Sequence, residues 1–219
     1  MRNLDKLIDL ISDEAKIRLP REMWQELFFY ASVRSLKRRE ALIDAGEYDP
    51  DVYFVASGLI RGTFMDKTSE RTAGFALPGT LLISFHCFYE QDASYYRFEA
   101  CVPSKVVRIP SAVFRMMTEK YHQFALWVME ANQNQLYHAE LKNRLISGDA
   151  KERLRQLIEG WPEIILKVSS KHLASYLGIT EVRVRHGCLF PTLPFRAIPS
   201  AWTEIMTQEM WQTTPQVIG

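Results

Sequence analysis

The sequence predicts an α+β fold in three parts: an N-terminal β domain, one long helix and a C-terminal pair of short helices. Between Ser35 and Ile109, short runs rich in Val, Ile, Tyr and Phe alternate with turn residues, which is typical of short strands. From about Glu119 to Ser147 the chain has helical periodicity and contains neither Gly nor Pro. Residues 168–186 then have the spacing of two short helices that meet near Gly178.

Composition limits the class of protein. A chain of 219 residues, 47% of them hydrophobic and 12% aromatic, is expected to be globular with one large or two modest domains. The formal net charge is +1, so any surface that attracts nucleic acid has to be local, and residues 167–186 are the candidate. Three scattered cysteines indicate a reducing compartment and lack the spacing of a zinc site. With no signal pattern and no apolar run of bilayer length, we expect a cytoplasmic protein without a membrane partner.

The first 34 residues have the periodicity of two packing helices. One apolar stripe comprises Leu4, Leu7, Ile8 and Ile11, and a second helix starts near Pro20. We assign these helices a structural role.

The β region divides into six predicted strands. They are Ala41–Ile43, Val52–Ala56, Leu59–Met65, Arg71–Leu77, Phe98–Cys101 and Lys105–Ile109. Their length and spacing predict a small antiparallel barrel or sandwich. His86 is the single histidine of this region, and Cys87 beside it would face the opposite side of a strand. We therefore predict no metal site and no catalytic residue, and an enzyme on a jelly-roll scaffold is the least favoured class.

The long helix, about residues 119–147, carries apolar and small residues in steps of four and three, the spacing of a coiled-coil seam. The seam comprises Ala125, Met129, Asn132, Leu136, Ala139, Asn143 and Ile146. The two asparagines would weaken the packing but fix its register, so the pattern predicts a homodimer along this helix. The alternative is a long helix that packs on its own chain alone. Gly148 ends the helix, which divides the chain into domains 1–148 and 149–219.

Residues 168–186 carry the strongest functional signal. Ser169 or Ser170 is placed to cap a first helix, Gly178 to end it, and Thr180 to cap a second. Lys171, Arg183 and neighbouring cations give the unit a basic surface. This pattern resembles a helix-turn-helix, which presents its second helix to the DNA major groove. An ordinary helical hairpin with a solvated basic face is the alternative.

The order of these parts resembles the cyclic AMP receptor protein/fumarate-nitrate regulator (Crp/Fnr) family, most closely its one-domain sensors from Bacteroidetes-type bacteria. The landmarks are VYFVASGLIRG (52–62), FALPGT (75–80), EAC (99–101) and KHLASYLGIT (171–180). The resemblance implies a transcription regulator with a double-stranded β-helix (jelly-roll) sensor, a dimer along the long helix and a winged helix-turn-helix. Its implied partners are double-stranded DNA, a second copy of the chain and, as a further candidate, RNA polymerase.

The first departure from that family lies in the effector region. Nucleotide-binding members grip the ribose with a Gly-Glu pair and the cyclic phosphate with an Arg, whereas here no Gly-Glu pair follows Pro78 and Ser94 stands at the Arg position. We therefore expect no cofactor, and cyclic AMP to bind weakly or not at all. An unknown effector is expected near Gly79, Ser84, Phe85, Ser94, Tyr95 and Arg97. Alternatively, aromatic side chains fill the interior: Phe85, Phe88, Tyr95 and Tyr96.

The second departure follows His186, where four Gly or Pro residues occur before Ala201. A continuing helix does not tolerate them, so the wing is expected to be atypical or missing in the divergent tail, residues 187–219. By position in the family motif, the backbone-contacting residues are Ser169, Ser170, Lys171 and Thr180, and those facing the groove are Glu181, Val182, Arg183 and His186. Two functions remain open: a homodimeric DNA-binding regulator, or a sensor and dimerisation module whose DNA-binding end has degenerated.

Overall fold

The structure is a computed structural model that describes residues 2–13, 15–67 and 69–187. Eight helices are found in this part of the chain: α1 Arg2–Asp13, α2 Arg21–Phe29, α3 Ser111–Lys120, α4 His122–Ser147, α5 Ala150–Gly160, α6 Pro162–Lys167, α7 Ser170–Leu177 and α8 Glu181–Gly187. The strands are β1 Ser32–Leu36, β2 Ala41–Ile43, β3 Val52–Ser57, β4 Ile60–Asp66, β5 Ser69–Ala76, β6 Leu81–Ile83, β7 Arg97–Ala100 and β8 Ser104–Ile109.

The strands form two antiparallel four-stranded sheets that face each other as a jelly-roll. Sheet 1 has the order β1-β8-β3-β6 and sheet 2 the order β2-β7-β4-β5. The space between them is filled by buried side chains of both sheets, including Tyr53, Val55, Ile60 and Val106. The predicted α+β class with a jelly-roll is confirmed, and each of the six predicted strands has a counterpart whose ends differ by at most two residues.

Strand β3 of sheet 1 is buried on both faces, which explains its nearly unbroken apolar run. Tyr53 and Val55 face the interior of the roll. Val52 and Phe54 alternate with them and face a second apolar cluster, which contains Trp24 of α2 and Trp127 of α4. The N-terminal helices, α3 and the first half of α4 therefore form a layer over sheet 1.

Four elements depart from the sequence prediction: the long helix, two strands and a π-helical turn. The long helix begins at His122, not near Glu119, because Tyr121 is extended (φ −122°, ψ 108°) and separates α3 from α4. The hydroxyl of Tyr121 donates to Glu26 of α2 at 2.6 Å, which holds this break in place. At 26 residues, α4 is about 39 Å long. Strands β1 and β6 were not predicted, and a π-helical turn occupies residues 86–90.

The C-terminal helices follow a short junction. Gly148 follows α4, and the Asp149 carboxylate caps α5 by accepting from the amides of Lys151 and Glu152 at 2.9 and 3.0 Å. The Glu152 carboxylate pairs with Arg155 one turn further along α5 at 2.6 Å. A third apolar cluster joins α5 and α6 to α7 and α8, and it includes Leu154, Leu157 and Ile164.

Candidate functional site

Helices α7 and α8 form a compact pair with a tight turn between them. The Ser169 hydroxyl caps α7 by accepting from the amide of His172 at 3.4 Å, and the Thr180 hydroxyl accepts from the amide of Arg183 at 3.4 Å. Gly178 ends α7 in the left-handed conformation (φ 64°), where a side chain would be strained. The Arg153 guanidinium of α5 donates to the carbonyl of Leu177 at 3.0 Å, which ties the turn to the preceding helix.

One face of this pair is buried and the other is open. Leu173, Ala174, Leu177 and Val184 lie in the apolar cluster shared with α5 and α6. On the open side of α8, Val182 is 61% exposed, and Arg183 and Arg185 are also exposed. Glu181 is partly buried and pairs with Arg185 at 2.7 Å.

The predicted backbone-contacting residues lie at the two helix starts. Ser169, Lys171 and Thr180 are exposed, and Ser170 is half-buried. The side chain of His186, and the divergent tail from residue 188 with Cys188, lie outside the described residues.

Helix α7 also packs on the outer face of sheet 2. The Thr72 amide of β5 donates to the Ser175 hydroxyl at 2.9 Å, and that hydroxyl reaches the Glu70 carbonyl at 3.3 Å. The ring of Tyr176 lies 5.1 Å from that of Phe75 between ring centres. Two of these contacts are hydrogen bonds to the backbone of β5. Because hydrogen bonds are directional, they determine which residues of α7 lie against which residues of β5.

Lys142 of α4 reinforces the same contact. Its ammonium donates to the carbonyls of Thr72, at 3.0 Å, and of Ala73. It also lies 4.6 Å from the centre of the Tyr176 ring. Burial lowers the pKa of Lys142 to about 8, and the carbonyl and ring contacts offset part of that desolvation.

Below α7, sheet 2 carries a buried ion-pair network. The Arg61 guanidinium, whose side chain is 4% exposed, contacts the Glu99 carboxylate at 2.6 Å and the Glu70 carboxylate at 2.8 Å. Burial raises the pKa of Glu99, but the hydrogen bonds and charges of Arg61 and Arg97 outweigh it, so this pKa lies below its usual range. Burial, together with the nearby Arg61 charge, lowers the pKa of His172 on α7.

This network was missed in the sequence. Its signal is Arg61 itself, a charge inside the otherwise apolar run of residues 59–62. A buried arginine requires a carboxylate partner, and Glu99 is the acidic residue at the matching position of the EAC strand. The pairing of these two strands, which are 38 positions apart at Arg61 and Glu99, could not be read from one sequence.

The seam of α4 is open to solvent along much of its length. Met129 is 50% exposed and Leu136 is 64% exposed, and Ala139 and Asn143 are exposed as well. Ala125, Asn132 and Ile146 are partly buried. The opposite face of α4, with Phe124, Trp127 and Ala131, is buried against the layer over sheet 1.

Asn132 is the notable residue of this seam. Its side-chain oxygen is buried, and within the described part of the chain it has no hydrogen-bond partner. A buried amide oxygen without a partner costs about 1–3 kcal/mol.

The six residues predicted to form an effector pocket lie in different surroundings. Ser84 and Ser94 are buried, and their hydroxyls are 2.9 Å apart. Gly79 (φ 98°) lies where an added Cβ would come within 2.9 Å of the Leu10 carbonyl of α1. Phe85 and Tyr95 are 42% and 67% exposed.

Arg97 alternates with Phe98 on β7 and therefore lies on the outer face of sheet 2, where it contacts Asp44 and Glu99. The proposed aromatic filling of the roll is wrong. Tyr96 is exposed, like Phe85 and Tyr95, because the segment around the π-helical turn faces outward. Phe88 packs outside the roll, 6.1 Å from Phe114 between ring centres.

The described residues contain no cluster of three His, Cys, Asp or Glu side chains that could hold a metal ion. Within the same residues, none of the helices has the length and apolar character needed to cross a membrane.

Comparisons with known proteins concern the family and the fold. Residues 33–121 match the family model of the cyclic nucleotide-binding domain. No curated protein matches the sequence.

Three solved structures are similar to the chain. A putative transcriptional regulator of the Crp/Fnr family from Eubacterium rectale has 14% identity and a TM-score of 0.63, over 77% of this chain and 82% of that one. FixK2 from Bradyrhizobium japonicum has 18% identity and a TM-score of 0.62, over 72% and 82%. The c-di-GMP responsive global regulator CLP of Xanthomonas campestris has 16% identity and a TM-score of 0.62, over 77% and 89%. At such identities the likeness shows a shared fold.

Proposed function

We propose that this chain, whose residues 33–121 match the family model of the cyclic nucleotide-binding domain, is a homodimeric, DNA-binding transcription regulator of the Crp/Fnr type. The observation that carries the proposal is the exposed face of α8, which comprises Val182, Arg183 and Arg185. Helix α7, capped by Ser169, packs against the opposite face of α8. In a helix-turn-helix, the second helix packs on the first through its apolar face and places its exposed face in the major groove.

The residues of the helix pair divide into two roles. Arg183 faces outward with its guanidinium available, and this group can donate two hydrogen bonds to a guanine edge. Glu181, partly buried, would accept from cytosine once its pairing with Arg185 opens, and Val182 and His186 would contact base edges beside them. Ser169, Ser170, Lys171 and Thr180, at the helix starts, would hold phosphates and set the register without specifying sequence.

The dimer rests on the seam of α4. Met129 and Leu136 would be buried against a second copy, and an asparagine on the seam would fix the register of the two helices. Two helix pairs related by a twofold axis would then read a near-palindromic site. Binding of RNA polymerase beside such a site is part of the same proposal.

Regulation would act through an effector other than cyclic AMP. Ser94 stands where the family's phosphate-gripping arginine is expected, and its hydroxyl is engaged by Ser84 inside the roll. Arg97, the nearest arginine along the chain, is held by Asp44 and Glu99 on the outer face of sheet 2. Micromolar binding of cyclic AMP in a calorimetric titration would contradict this part of the proposal.

The direct test is a DNA-binding measurement on the wild-type chain and two variants. A site is first selected from random duplexes, and affinity is then measured against that site and against random DNA at several salt concentrations. Arg183→Ala is expected to lose preference for the selected site by about 1–3 kcal/mol. Lys171→Ala is expected to weaken both duplexes alike and to lower the salt slope by about 1. Equal losses on both duplexes for Arg183→Ala would contradict the assigned roles.

A second candidate is a sensor and dimerisation module without DNA binding. The observation in its favour is the sequence after His186, where four Gly or Pro residues occur before Ala201 and do not suit a continuing recognition helix. Under this alternative the chain dimerises but shows no salt-dependent binding to any duplex at low salt.

A further inference from the structure

A basic turn lies on the jelly-roll itself, between β1 and β2. It comprises Lys37, Arg38 and Arg39, and all three residues are exposed. Among the described residues, neither Arg38 nor Arg39 has an acidic side chain within ion-pair distance. A cluster of exposed cations creates a local positive potential that attracts an anionic partner.

The basic turn is held rigidly. Arg39 has a left-handed backbone (φ 67°), which is uncommon for a residue with a side chain. Its amide donates to the Ala100 carbonyl at 2.7 Å, and the Ala100 amide donates to the Glu40 carbonyl at 3.0 Å. The Lys37 amide donates to the Glu40 carboxylate at 2.9 Å. A turn fixed in this way presents its side chains without a large loss of backbone entropy on binding.

The basic turn adjoins the start of α7. Arg38 and Arg39 line one cleft together with Lys167, Ser169 and His172. Ser169 caps α7, and Lys171 follows it on the exposed side. The two surfaces meet because α7 is docked on sheet 2, whose strand β7 pairs with β2 directly after the turn.

Acidic groups in this cleft are already engaged. Glu99 is paired with Arg61 and Arg97, and Glu163 is paired with Lys167 at 2.9 Å. The Glu40 carboxylate accepts from the Lys37 amide. Among the described residues, no carboxylate lies within ion-pair distance of Arg38, Arg39 or Lys171. Arg38 and Arg39 of the jelly-roll lie beside the Ser169 cap of α7, and Lys171 follows that cap on the exposed side.

We propose that the basic turn of the jelly-roll binds backbone phosphates of the same DNA duplex, on the flank of the site that α8 reads. This inference rests on the proposed function and deepens it, because it assigns a DNA contact to the sensor domain. Arginine suits the contact, since its planar fork donates two hydrogen bonds to one phosphate. The contact adds affinity without adding sequence preference.

The test compares two duplexes that share one selected site. The short duplex ends at the bases that α8 protects, and the long duplex carries about eight further base pairs on each side. The wild-type chain is expected to bind the long duplex at least about fivefold more tightly at low salt, because each extra phosphate contact adds about 0.9 to the salt slope.

The test variant combines Arg38→Ala with Arg39→Asn, since asparagine tolerates the left-handed backbone. It is expected to bind the short duplex like the wild type and to lose the gain on the long one. Arg38→Lys with Arg39→Lys keeps the charge and is expected to retain most of the gain. A matched control, Lys6→Ala with Lys16→Ala, removes two exposed charges on the side of sheet 1 and is expected to leave both affinities unchanged.

The outcomes separate the two proposals. If the test variant, with wild-type circular dichroism, gains as much from the flanks as the wild type does, the basic turn makes no phosphate contact and the inference is wrong. The same holds if the wild type gains nothing from the flanks while still binding the short duplex. If the wild type binds neither duplex at low salt, the proposed function itself fails, and the inference fails with it.

Discussion

The two sheets of the jelly-roll are covered in different ways. The outer face of sheet 1 is apolar, and Phe54 there contacts Trp24 and Trp127, with ring centres 6.2 Å apart in both cases. The outer face of sheet 2 carries the Arg61–Glu99 pair and receives α7 through hydrogen bonds to Ser175 and an aromatic contact to Tyr176.

This difference separates a structural contact from one that can be regulated. Burial of apolar area contributes roughly 25 cal/mol per Å² and does not depend on pH or salt in the manner of a charge. A hydrogen bond contributes about 0.5–1.5 kcal/mol, and a contact that includes a titratable group, here His172 of α7, responds to protonation. We therefore expect the layer over sheet 1 to hold the fold together, and the contact of α7 on sheet 2 to set the position of the helix pair.

The largest expected effect lies on sheet 1. Phe54→Ala removes a fully buried ring and is expected to lower the free energy of unfolding by about 3–5 kcal/mol. Urea denaturation followed by circular dichroism measures the change. A loss below about 1 kcal/mol would remove the proposed contrast between the two faces.

The second effect concerns the ion pair of sheet 2. Glu99→Gln leaves Arg61 with Glu70 as its remaining carboxylate, and we expect a loss of about 2 kcal/mol. The pKa of Glu99 is lower in the folded state than in the unfolded state. The ionised Glu99 therefore stabilises the fold at any pH above its unfolded-state pKa, and this stabilisation is lost as the pH falls through the folded-state pKa. Denaturation of the wild type and Glu99→Gln between pH 3 and pH 7 should converge at the acid end. Parallel curves across this range would count against the pairing.

A smaller effect is expected at the docking contact. Ser175→Ala removes the acceptor of the Thr72 amide and the donor to the Glu70 carbonyl, at a cost of about 1 kcal/mol. Amide hydrogen exchange is expected to be faster at Thr72 and in α7 but unchanged in β3. An equal change in β3 would mean that the contact is part of one cooperative core.

The smallest effect is the pH response of His172. Burial and the Arg61 charge hold its pKa below the usual value of about 6.5, so the folded state binds fewer protons than the unfolded state. Because the folded state binds fewer protons, the docking of α7 is at its most stable above the usual histidine pKa and becomes less stable as the pH falls below it. His172→Gln should flatten the dependence of α7 exchange on pH between 7 and 5.5. An unchanged slope would show that His172 does not report on the docking.

The sequence predicted the elements with strong local patterns. The run of β-branched and aromatic residues at 52–56 and the turn residues around Gly58 and Gly79 located the strands, because both signals are local properties of the sequence. The break at Tyr121 was missed, since it depends on a hydrogen bond to Glu26, 95 positions away, and not on a glycine or proline.

The candidate site was predicted less evenly. Ser169, Gly178 and Thr180 occupy their expected positions because caps and turns are specified within a few residues. The faces on which Phe85, Tyr95 and Arg97 lie depend on a π-helical turn and on strand pairing, which single-sequence periodicity does not encode. The docking of α7 on sheet 2 joins residues 103 positions apart, Thr72 and Ser175, and required the structure.

The most direct test of the account is the stoichiometry of the chain on DNA, measured by sedimentation velocity with a selected duplex at low salt. We predict two chains per duplex, and one or none for Leu136→Glu, which places a charge in the exposed seam of α4. A wild-type chain that stays monomeric at high concentration, or that does not sediment with any duplex, would contradict the account.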